Sequence, residues 1–391
     1  MVQLPIYMDN HATTRVDSDV LKSMLPYFTE KFGNAASINH SFGWEAGDAV
    51  ETARSRVARL LNAMEAKVIF TSGATEANNI ALKGVMRAAC GAKPVGHLVT
   101  NAGEHRAVLD PARKLKRDGF EITILPVDQY GMVDPTQVVA AIQSNTVLVS
   151  VMMANNEVGT INPIDVIGRI CRDREILFHC DMVQAIGTIP VDLSALPVDL
   201  LSLTAHKFYG PKGIGALVIR RGSLQTKIEP LFEGGGHENR IRSGTLPVPL
   251  VVGFGKCCEL ASERMDEEAI AIGNLRERLW RGLQNEVDNI RSNGHPTERL
   301  AGNLNVSFEG VDGDALMTRL KDIAVSSGAA CTSVDPEPSH VLRAMGISDV
   351  LTRASLRFGL GRFNTTDEVD YAVSAVGESV KRLRKLAARG A

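Results

Sequence analysis

The sequence predicts an α/β protein in which a large domain, built on a mostly parallel seven-stranded sheet flanked by helices, precedes a small α+β domain. In the first 220 residues, short apolar runs alternate with longer amphipathic stretches, as they do when helices cover both faces of a parallel sheet. Residues 256–287 then show helical periodicity without a strand signal. Strand-like segments return beyond residue 300, which indicates a second, smaller domain.

Seven apolar runs define the predicted large sheet, and each is short enough to be a strand. They are KVIF (67–70), HLVT (97–100), EITILPV (121–127), TVLVSVMM (146–153), EILFHC (175–180), DLLSL (199–203) and GALVIR (215–220). The small domain has strand-like runs at 303–308, 323–327 and 354–360, and helical patterns at 313–321 and 367–388. We therefore place the large domain at 1–255, with an N-terminal segment that contributes to the small domain, and the small domain at 256–391.

The composition argues against two classes of function. The 391 residues are 44% hydrophobic and 23% charged, with a formal net charge of −2, so there is no basic stripe of the kind that nucleic-acid binding requires. No apolar run approaches the roughly 20 residues of a membrane span, and the N-terminus lacks a signal-peptide pattern. We expect a cytoplasmic protein. The six cysteines form no CxxC pair and no zinc-type spacing, which predicts reduced thiols and no resident metal.

Polar residues follow five of the predicted strands at the point where each strand ends. They lie in TSGATEANN (71–79), NAGEHRAV (101–108), NNEVG (155–159), DMVQ (181–184) and TAHK (204–207). Because ligands of open α/β sheets bind outside the carboxyl ends of the strands, we expect these segments to meet at one site.

Two of these segments have both a functional and a purely structural interpretation. The turn at Gly73, Ala74 and Thr75 suits a phosphate group at a helix N-terminus, but such turns are often only tight connections with a capping hydroxyl. Asp181 and Gln184 are three residues apart and share a face if a helix starts here. Asp181 then either caps that helix or faces the nitrogen of an aromatic heterocycle, with His105 at a neighbouring strand end.

The segment SLTAHKFYGPKG (202–213) holds two lysines, and only one of them directly follows a strand. Lys207 comes immediately after the strand, whereas Lys212 lies beyond Tyr209 in a turn that leads to the next strand. A lysine walled by apolar groups at a strand end has a lowered pKa, which favours the free amine that forms imines. The alternative is a surface lysine whose stem packs on the sheet.

Together these motifs resemble the pyridoxal-phosphate enzymes of fold type I and, among them, the cysteine desulfurases of the class-V aminotransferase family. The resemblance extends from residue 7 to residue 363. It rests on YMDNHATT, FGNAAS, TSGATEANN, EHRAVLD, NNEVG, DMVQAIG, AHKFYGPKGIGAL, GGGHENRIRSGT, SSGAACTS and SLRFGLGRF.

The resemblance implies a role for each residue of a pyridoxal 5′-phosphate site. Lys207 would bind the cofactor covalently and, aided by His105, would remove the α proton of the substrate. His105 would also stack on the pyridine ring, Asp181 would pair with the ring nitrogen, and Gln184 would contact the phenolic oxygen. The phosphate would be bound by Ala74, Thr75, Thr204 and His206, and by Thr245 of a second subunit, which implies a homodimer.

The same resemblance implies the substrate and the sulfur carrier. Asn156 and Arg357, assisted by Asn34, would bind L-cysteine, since a guanidinium can bind both oxygens of a carboxylate. Cys331, in the small-residue run SSGAACTS, would take the sulfur as a persulfide and release L-alanine. The stretch that follows resembles the long-loop group of desulfurases, in which this cysteine passes sulfur to iron–sulfur scaffold and carrier proteins, with at most a transient iron–sulfur contact at Cys331.

Two alternatives and two departures accompany this interpretation. The chain could be a selenocysteine lyase, another lyase or an aminotransferase of the same fold, with Cys331 incidental, or a slow cofactor-bound scaffold for sulfur transfer. Ala35 stands where the family usually has proline, which predicts a looser loop. Met182 stands where a small alanine usually lies against the cofactor ring, and it would either adapt to the ring or crowd it.

Overall fold

The computed structural model describes residues 2–91, 95–220, 227–327 and 337–390. Cys331, the predicted sulfur carrier, lies outside the described residues. No helix in these four ranges is both long enough and apolar enough to cross a membrane.

Strands and helices alternate through the first half of the chain, as the apolar runs predict. The strands are β1 (Ile6–Tyr7), β2 (Lys67–Thr71), β3 (His97–Asn101), β4 (Glu121–Leu125), β5 (Thr146–Ser150), β6 (Leu177–Asp181), β7 (Leu200–Thr204), β8 (Gly215–Ile219), β9 (Ile290–Asn293), β10 (Asn303–Phe308), β11 (Ile323–Ala324), β12 (Ser326–Ser327) and β13 (Ser355–Gly359). The helices are α1 (Ser18–Met24), α2 (Pro26–Thr29), α3 (Ser41–Leu60), α4 (Ala74–Asn79), α5 (Val85–Cys90), α6 (Arg106–Arg117), α7 (Pro135–Ala141), α8 (Ile164–Asp173), α9 (Val248–Glu286), α10 (Gly313–Arg319), α11 (His340–Ala344), α12 (Asp349–Arg353) and α13 (Thr366–Gly390). A π-helical turn spans Ile80–Gly84, and 3₁₀ turns span Ala205–Lys207 and Glu238–Arg240.

The large sheet has seven strands in the order β2-β8-β7-β6-β5-β3-β4, which confirms the predicted sheet. Pairs from β7 to β4 are parallel, and β8 runs antiparallel to both of its neighbours. Every residue of β3, β7 and β8 is buried, because layers pack on both faces of the sheet. Thr71 and Thr204 both pair with Gly215, so the turns after β2 and β7 lie side by side.

Helix α9 joins the two parts of the molecule. Its 39 residues span about 58 Å at 1.5 Å per residue. Phe254 near its start is buried in the core under the large sheet, whereas Leu279 and Leu283 are buried in a second core with β10, β13 and α13. The helix starts at Val248 and not at 256, because proline is compatible with the first turn of a helix. The domain boundary at 255/256 falls inside this helix and remains a prediction.

The smaller sheet is antiparallel, in the order β12-β13-β10-β9. The sequence patterns missed β9, and the run predicted at 323–327 forms two strands, β11 and β12. Strand β11 pairs in parallel with β1 through Ile6 and Ile323, as expected if the N-terminal segment contributes to the small domain. This pairing brings residues 9–14 across the carboxyl end of the large sheet, where Thr14 N donates to His206 O at 2.9 Å.

Candidate active site

A cavity of about 760 Å³ opens at the carboxyl end of the large sheet and is closed on the other side by the smaller sheet. Because parallel strands end at one edge, residues far apart in sequence meet here. The predicted residues that line the cavity are Ala74, Thr75, His105, Asn156, Asp181, Gln184, Thr204, His206, Lys207 and Arg357. Their proximity is a structural fact, whereas their roles remain predictions.

Two predicted residues of the described chain do not line this cavity. Asn34 is exposed, and its Oδ1 accepts from Ala36 N at 2.9 Å within a local turn. Thr245 is also exposed and is not among the residues that line the cavity. The predicted role of Thr245 in a second subunit is compatible with that exposure and is not tested by it.

The turn between β2 and α4 has the features of an anion site. Gly73 adopts φ +155°, a conformation that is essentially restricted to glycine, and no side chain caps the N-terminus of α4. The first backbone N–H groups of α4 are therefore left for a ligand. Desolvation, together with the positive charges of Lys207 and Lys212, lowers the pKa of His206 to about 4, so this imidazole is neutral at pH 7.

Asp181 ends β6 and is almost completely buried at the base of the cavity. Its Oδ2 accepts from Asn78 Nδ2 at 2.7 Å, and its Oδ1 accepts from Val183 N at 3.0 Å. No helix starts at Asp181, so the carboxylate binds a turn and does not cap a helix. The predicted contact with a ring nitrogen stays a prediction. Asn78 fixes the plane of the carboxylate.

Met182 does not lie in the cavity, contrary to the expectation from the sequence. Its side chain is fully buried in the core of the large domain, and Val183 lines the cavity instead. Side chains alternate between the two faces at the end of a strand. Asp181 and Val183 therefore point to the cavity, whereas Met182 points to the core. The sequence left open whether Met182 adapts to a cofactor ring or crowds it, and the structure places this side chain in the core instead.

His105 precedes helix α6 and accepts from Ala107 N through its Nδ1 at 3.0 Å. This bond leaves the hydrogen of the neutral ring on Nε2. The pKa of His105 is lowered, first by desolvation and also by the charge of Lys207, against the attraction of Asp181. A neutral ring with Nε2–H donates a hydrogen bond through that nitrogen.

Lys207 lies in the 3₁₀ turn after β7, and its surroundings differ from the apolar walls that the sequence suggested. Its Nζ donates to His11 O at 2.5 Å and to Ala12 O at 2.8 Å. Both acceptors are backbone carbonyl oxygens of the N-terminal segment. The reason is that residues 9–14 cross the strand end, an arrangement that depends on the pairing of β1 with β11.

Sequence reasoning missed His11 and Glu104. His11 Nδ1 donates to Gln184 Oε1 at 2.9 Å, and Gln184 Nε2 donates to His11 O at 3.0 Å, so His11 fixes both ends of the Gln184 amide. Glu104 is completely buried, and its Oε1 accepts from Met152 N and Asn101 Nδ2, each at 2.6 Å. Burial and the nearby charge of Asp181 raise the pKa of Glu104 well above its usual value. Its position next to His105 in the sequence was the only signal.

Comparisons with known proteins identify the family of the chain. A family model described as class-V aminotransferase matches residues 6–372. Cysteine desulfurase IscS of Anaeromyxobacter dehalogenans (strain 2CP-C) is 54% identical over 98% of this chain and 95% of its own, and that of Rickettsia felis (strain ATCC VR-1525 / URRWXCal2) is 48% identical over 98% of this chain and 93% of its own.

Two solved structures share the fold. A NifS-like protein matches with a TM-score of 0.89 and 38% identity, covering 97% of this chain and 100% of its own. DndA from Streptomyces lividans matches with a TM-score of 0.77 and 38% identity, covering 90% of this chain and 98% of its own. The chain therefore belongs to the class-V aminotransferase family and, within it, to the pyridoxal-phosphate-dependent cysteine desulfurases.

Proposed function

We propose that this protein removes sulfur from L-cysteine, releases L-alanine, and leaves the sulfur as a persulfide on Cys331. The observation that carries the proposal is the meeting of Lys207, Asp181 and Arg357 in one cavity. This cavity therefore offers an amine, a buried carboxylate and a guanidinium for a carboxylated substrate. Family membership adds the reaction class.

The residues of the cavity fit pyridoxal 5′-phosphate. The uncapped turn at Gly73, with Thr75 and Thr204 beside it, suits the phosphate. Asp181, held by Asn78, suits a protonated ring nitrogen, and the wall formed by Val183 and His105 suits the two faces of an aromatic ring. When bound, the cofactor supplies an electron sink for the carbanion at the α carbon.

The chain's own residues would bind the reactants and move the protons. Arg357 would bind the carboxylate of the substrate. Lys207 would bind the cofactor through Nζ and, once released by the amino group of the substrate, would carry the α proton. To do so Nζ must leave the carbonyl groups of His11 and Ala12 and lose its own proton. His105 would keep its hydrogen on Nε2 and donate a hydrogen bond.

The sulfur step balances without an external oxidant or reductant. The Cys331 thiolate attacks the sulfur of the bound substrate, so that an S–S bond forms while the bond between that sulfur and its carbon breaks. The released carbon takes the electron pair and a proton and becomes the methyl group of alanine. In total, Cys331–SH and cysteine give Cys331–SSH and alanine. Only the thiolate is competent in this step.

A second copy of the chain and a sulfur-acceptor protein complete the proposal. Exposed hydrophobic side chains are concentrated between residues 21 and 44, and Phe32 and Phe42 form one contact there with ring centroids 5.4 Å apart. Such a surface is typical of a protein interface, and a homodimer would cover it and bring Thr245 to the partner's site. The acceptor, of the iron–sulfur scaffold kind, would meet Cys331 in the cytoplasm.

The test is the L-alanine formed from L-cysteine by the cofactor-loaded protein with a thiol reductant. We expect Cys331→Ala to lose at least about 100-fold in rate, because removing a nucleophile commonly costs several kcal/mol of transition-state stabilisation. Cys90→Ala is the matched control, since Cys90 lies on α5, away from the cavity, and we expect it to retain the wild-type rate.

Without reductant, the wild type should release one alanine per protomer and then stop, because the persulfide is not cleared. Equal alanine from wild type and Cys331→Ala would contradict the proposal and point to a lyase that needs no cysteine. The alternative of a slow scaffold was suggested by a Met182 that contacts the cofactor. Met182 lies in the core and not against the cavity, so it does not support that alternative.

A further inference from the structure

The guanidinium of Arg357 is enclosed by three partners that come from separate parts of the fold. Nη2 donates to Asp9 Oδ1 and to Ser326 Oγ, each at 2.7 Å, and Nη1 donates to the backbone oxygen of Asn156 at 2.9 Å. Ser326 Oγ also donates to Asp9 Oδ1 at 2.8 Å. Asp9, Ser326 and Arg357 therefore form a closed triangle of hydrogen bonds, which we call the Asp9 clamp.

The members of the Asp9 clamp face the cavity differently. Arg357, Ser326 and Asn156 line the cavity, but Asp9 does not. Asp9 is bridged to Gly359 next to β1, and Ser326 lies opposite Arg357 in the pairing of β12 with β13. Asp9 therefore lies behind the guanidinium and acts on a bound substrate only through Arg357.

The clamp decides which donors of Arg357 remain for a ligand. A guanidinium has five N–H groups, and the clamp and Asn156 use both hydrogens of Nη2 and one of Nη1. Nε is buried and has no acceptor among the residues that the structure describes. The N–H groups outside the clamp are thus that of Nε, which is buried, and the second hydrogen of Nη1. These two lie on different edges of the guanidinium, so a carboxylate would accept from Nη1. A rotation of the guanidinium would exchange these donors for others.

Asp9 has two opposite effects on the affinity for a carboxylate. Its negative charge offsets the charge of Arg357 and weakens the attraction, whereas its hydrogen bonds hold a long and otherwise mobile side chain in one orientation. Orientation outweighs charge in this site, because two bonds of 2.7 Å hold Nη2 in place and charge-assisted hydrogen bonds depend steeply on geometry. Ser326 acts in the same direction, since it bonds both Asp9 and Arg357.

We propose that Asp9 is a positioning residue that fixes Arg357 to receive the carboxylate of the substrate, and thereby sets the preference for L-cysteine over an aminothiol without a carboxylate. This inference rests on the proposed function of the cavity. It assigns the discrimination between the two ligands to a residue that touches neither of them.

The test compares L-cysteine with cysteamine, which has the same amine and thiol but no carboxylate. Binding is measured on the cofactor-loaded Cys331→Ala protein, in which turnover is blocked, from the absorbance change of the cofactor as each compound is added. With Asp9→Ala we expect at least a 10-fold weaker binding of L-cysteine and less than a 2-fold change for cysteamine. In the protein with Cys331 intact, KM for L-cysteine should rise more than kcat falls.

Three further variants sharpen the result. Asp9→Asn keeps an acceptor oxygen without the charge, and Ser326→Ala removes one side of the triangle, so both should weaken L-cysteine binding by a smaller factor than Asp9→Ala. They also serve if Asp9→Ala does not fold. Asp110→Asn is the matched control, since Asp110 forms an exposed pair with Arg113 on α6, and it should bind both compounds as the parent does.

Equal weakening for L-cysteine and cysteamine would overturn the inference, because Asp9 would then be purely structural. Unchanged or tighter L-cysteine binding by Asp9→Asn and Asp9→Ala would also overturn it, because the charge of Asp9 would then outweigh its positioning effect. A wild type that binds L-cysteine in this way but forms no alanine would refute the proposed function and leave the inference about Asp9 standing.

Discussion

At the scale of single residues, the site depends on buried groups whose protonation the fold controls. Glu104 lies below the cavity without solvent contact, near Asp181, and one of its oxygens, Oε2, has no partner in the described part of the chain. Two carboxylates close together in a buried place are not both ionised without cost. Burial and the nearby charge of Asp181 therefore raise the pKa of Glu104 well above its usual value.

The Glu104→Gln variant tests this assignment through stability. A carboxyl whose pKa is raised on folding contributes stability that is fully present below its unfolded pKa and is lost as the pH rises through its folded pKa. The wild type should therefore lose thermal stability as the pH rises above 4.5, the usual pKa of this carboxyl. Glu104→Gln should not show this component.

The measurement is Tm between pH 5 and 9 for both proteins and for Glu267→Gln, an exposed control on α9. The Tm of Glu104→Gln relative to wild type should increase with pH, while that of the control stays constant. A difference that stays constant or shrinks with pH would mean that folding does not raise the pKa of Glu104.

At the scale of the elements, strand β6 carries a buried structural histidine close to the carboxylate of the cavity. His179 lies two residues before Asp181, and it is completely buried between Ser150 of β5 and Ser202 of β7. Desolvation lowers its pKa to about 3. The neutral imidazole thus crosslinks three central strands directly below the site.

This arrangement predicts acid sensitivity with a definite sign. A histidine whose pKa is lowered on folding contributes stability that is present above its unfolded pKa and is lost as the pH falls towards its folded pKa. As the pH falls from 6.5 to 4, the lowered pKa of His179 should reduce the free energy of unfolding by about 3 kcal/mol, at about 1.4 kcal/mol per pH unit.

Denaturant unfolding at several pH values checks this expectation. His179→Gln should be less stable than wild type at pH 7, because a hydrogen bond is lost, but its stability should fall less steeply towards pH 4. Parallel pH profiles for the two proteins would show that His179 does not cause the acid sensitivity.

At the scale of the whole molecule, the cavity exists only where the two sheets meet. Residues of the large sheet supply the cofactor side, whereas Asn305, Ser326 and Arg357 come from the smaller sheet. The pairing of β1 with β11 and the continuous helix α9 connect the two parts. The position of Arg357 relative to Lys207 therefore depends on packing far from both residues.

Leu279→Ala tests this dependence. Leu279 lies on α9, completely buried in the second core, so its truncation should cost about 2–5 kcal/mol. We expect a lower Tm together with a raised KM for L-cysteine, because loosening the small-sheet core also loosens Arg357. Ile270→Ala, at an exposed position of the same helix, is the control. A lower Tm with an unchanged KM would show that the two parts are independent.

The sequence by itself determined the seven strands, the residues at their ends and the family. Apolar runs reflect burial on both faces of a sheet, and parallel strands end at one edge, so the strand pattern alone predicts that His105, Asp181 and Lys207 meet. These inferences depend on local patterns and on motifs that stand close together in the chain.

Tertiary structure alone decided what surrounds those residues. The turn after β6 put Val183 and not Met182 in the cavity, residues 9–14 supplied carbonyl groups to Lys207, and burial raised the pKa of Glu104. The Asp9 clamp joins residues more than 300 positions apart in the chain. No local pattern encodes such contacts, because they follow from how the N-terminal segment and the smaller sheet pack against the large one.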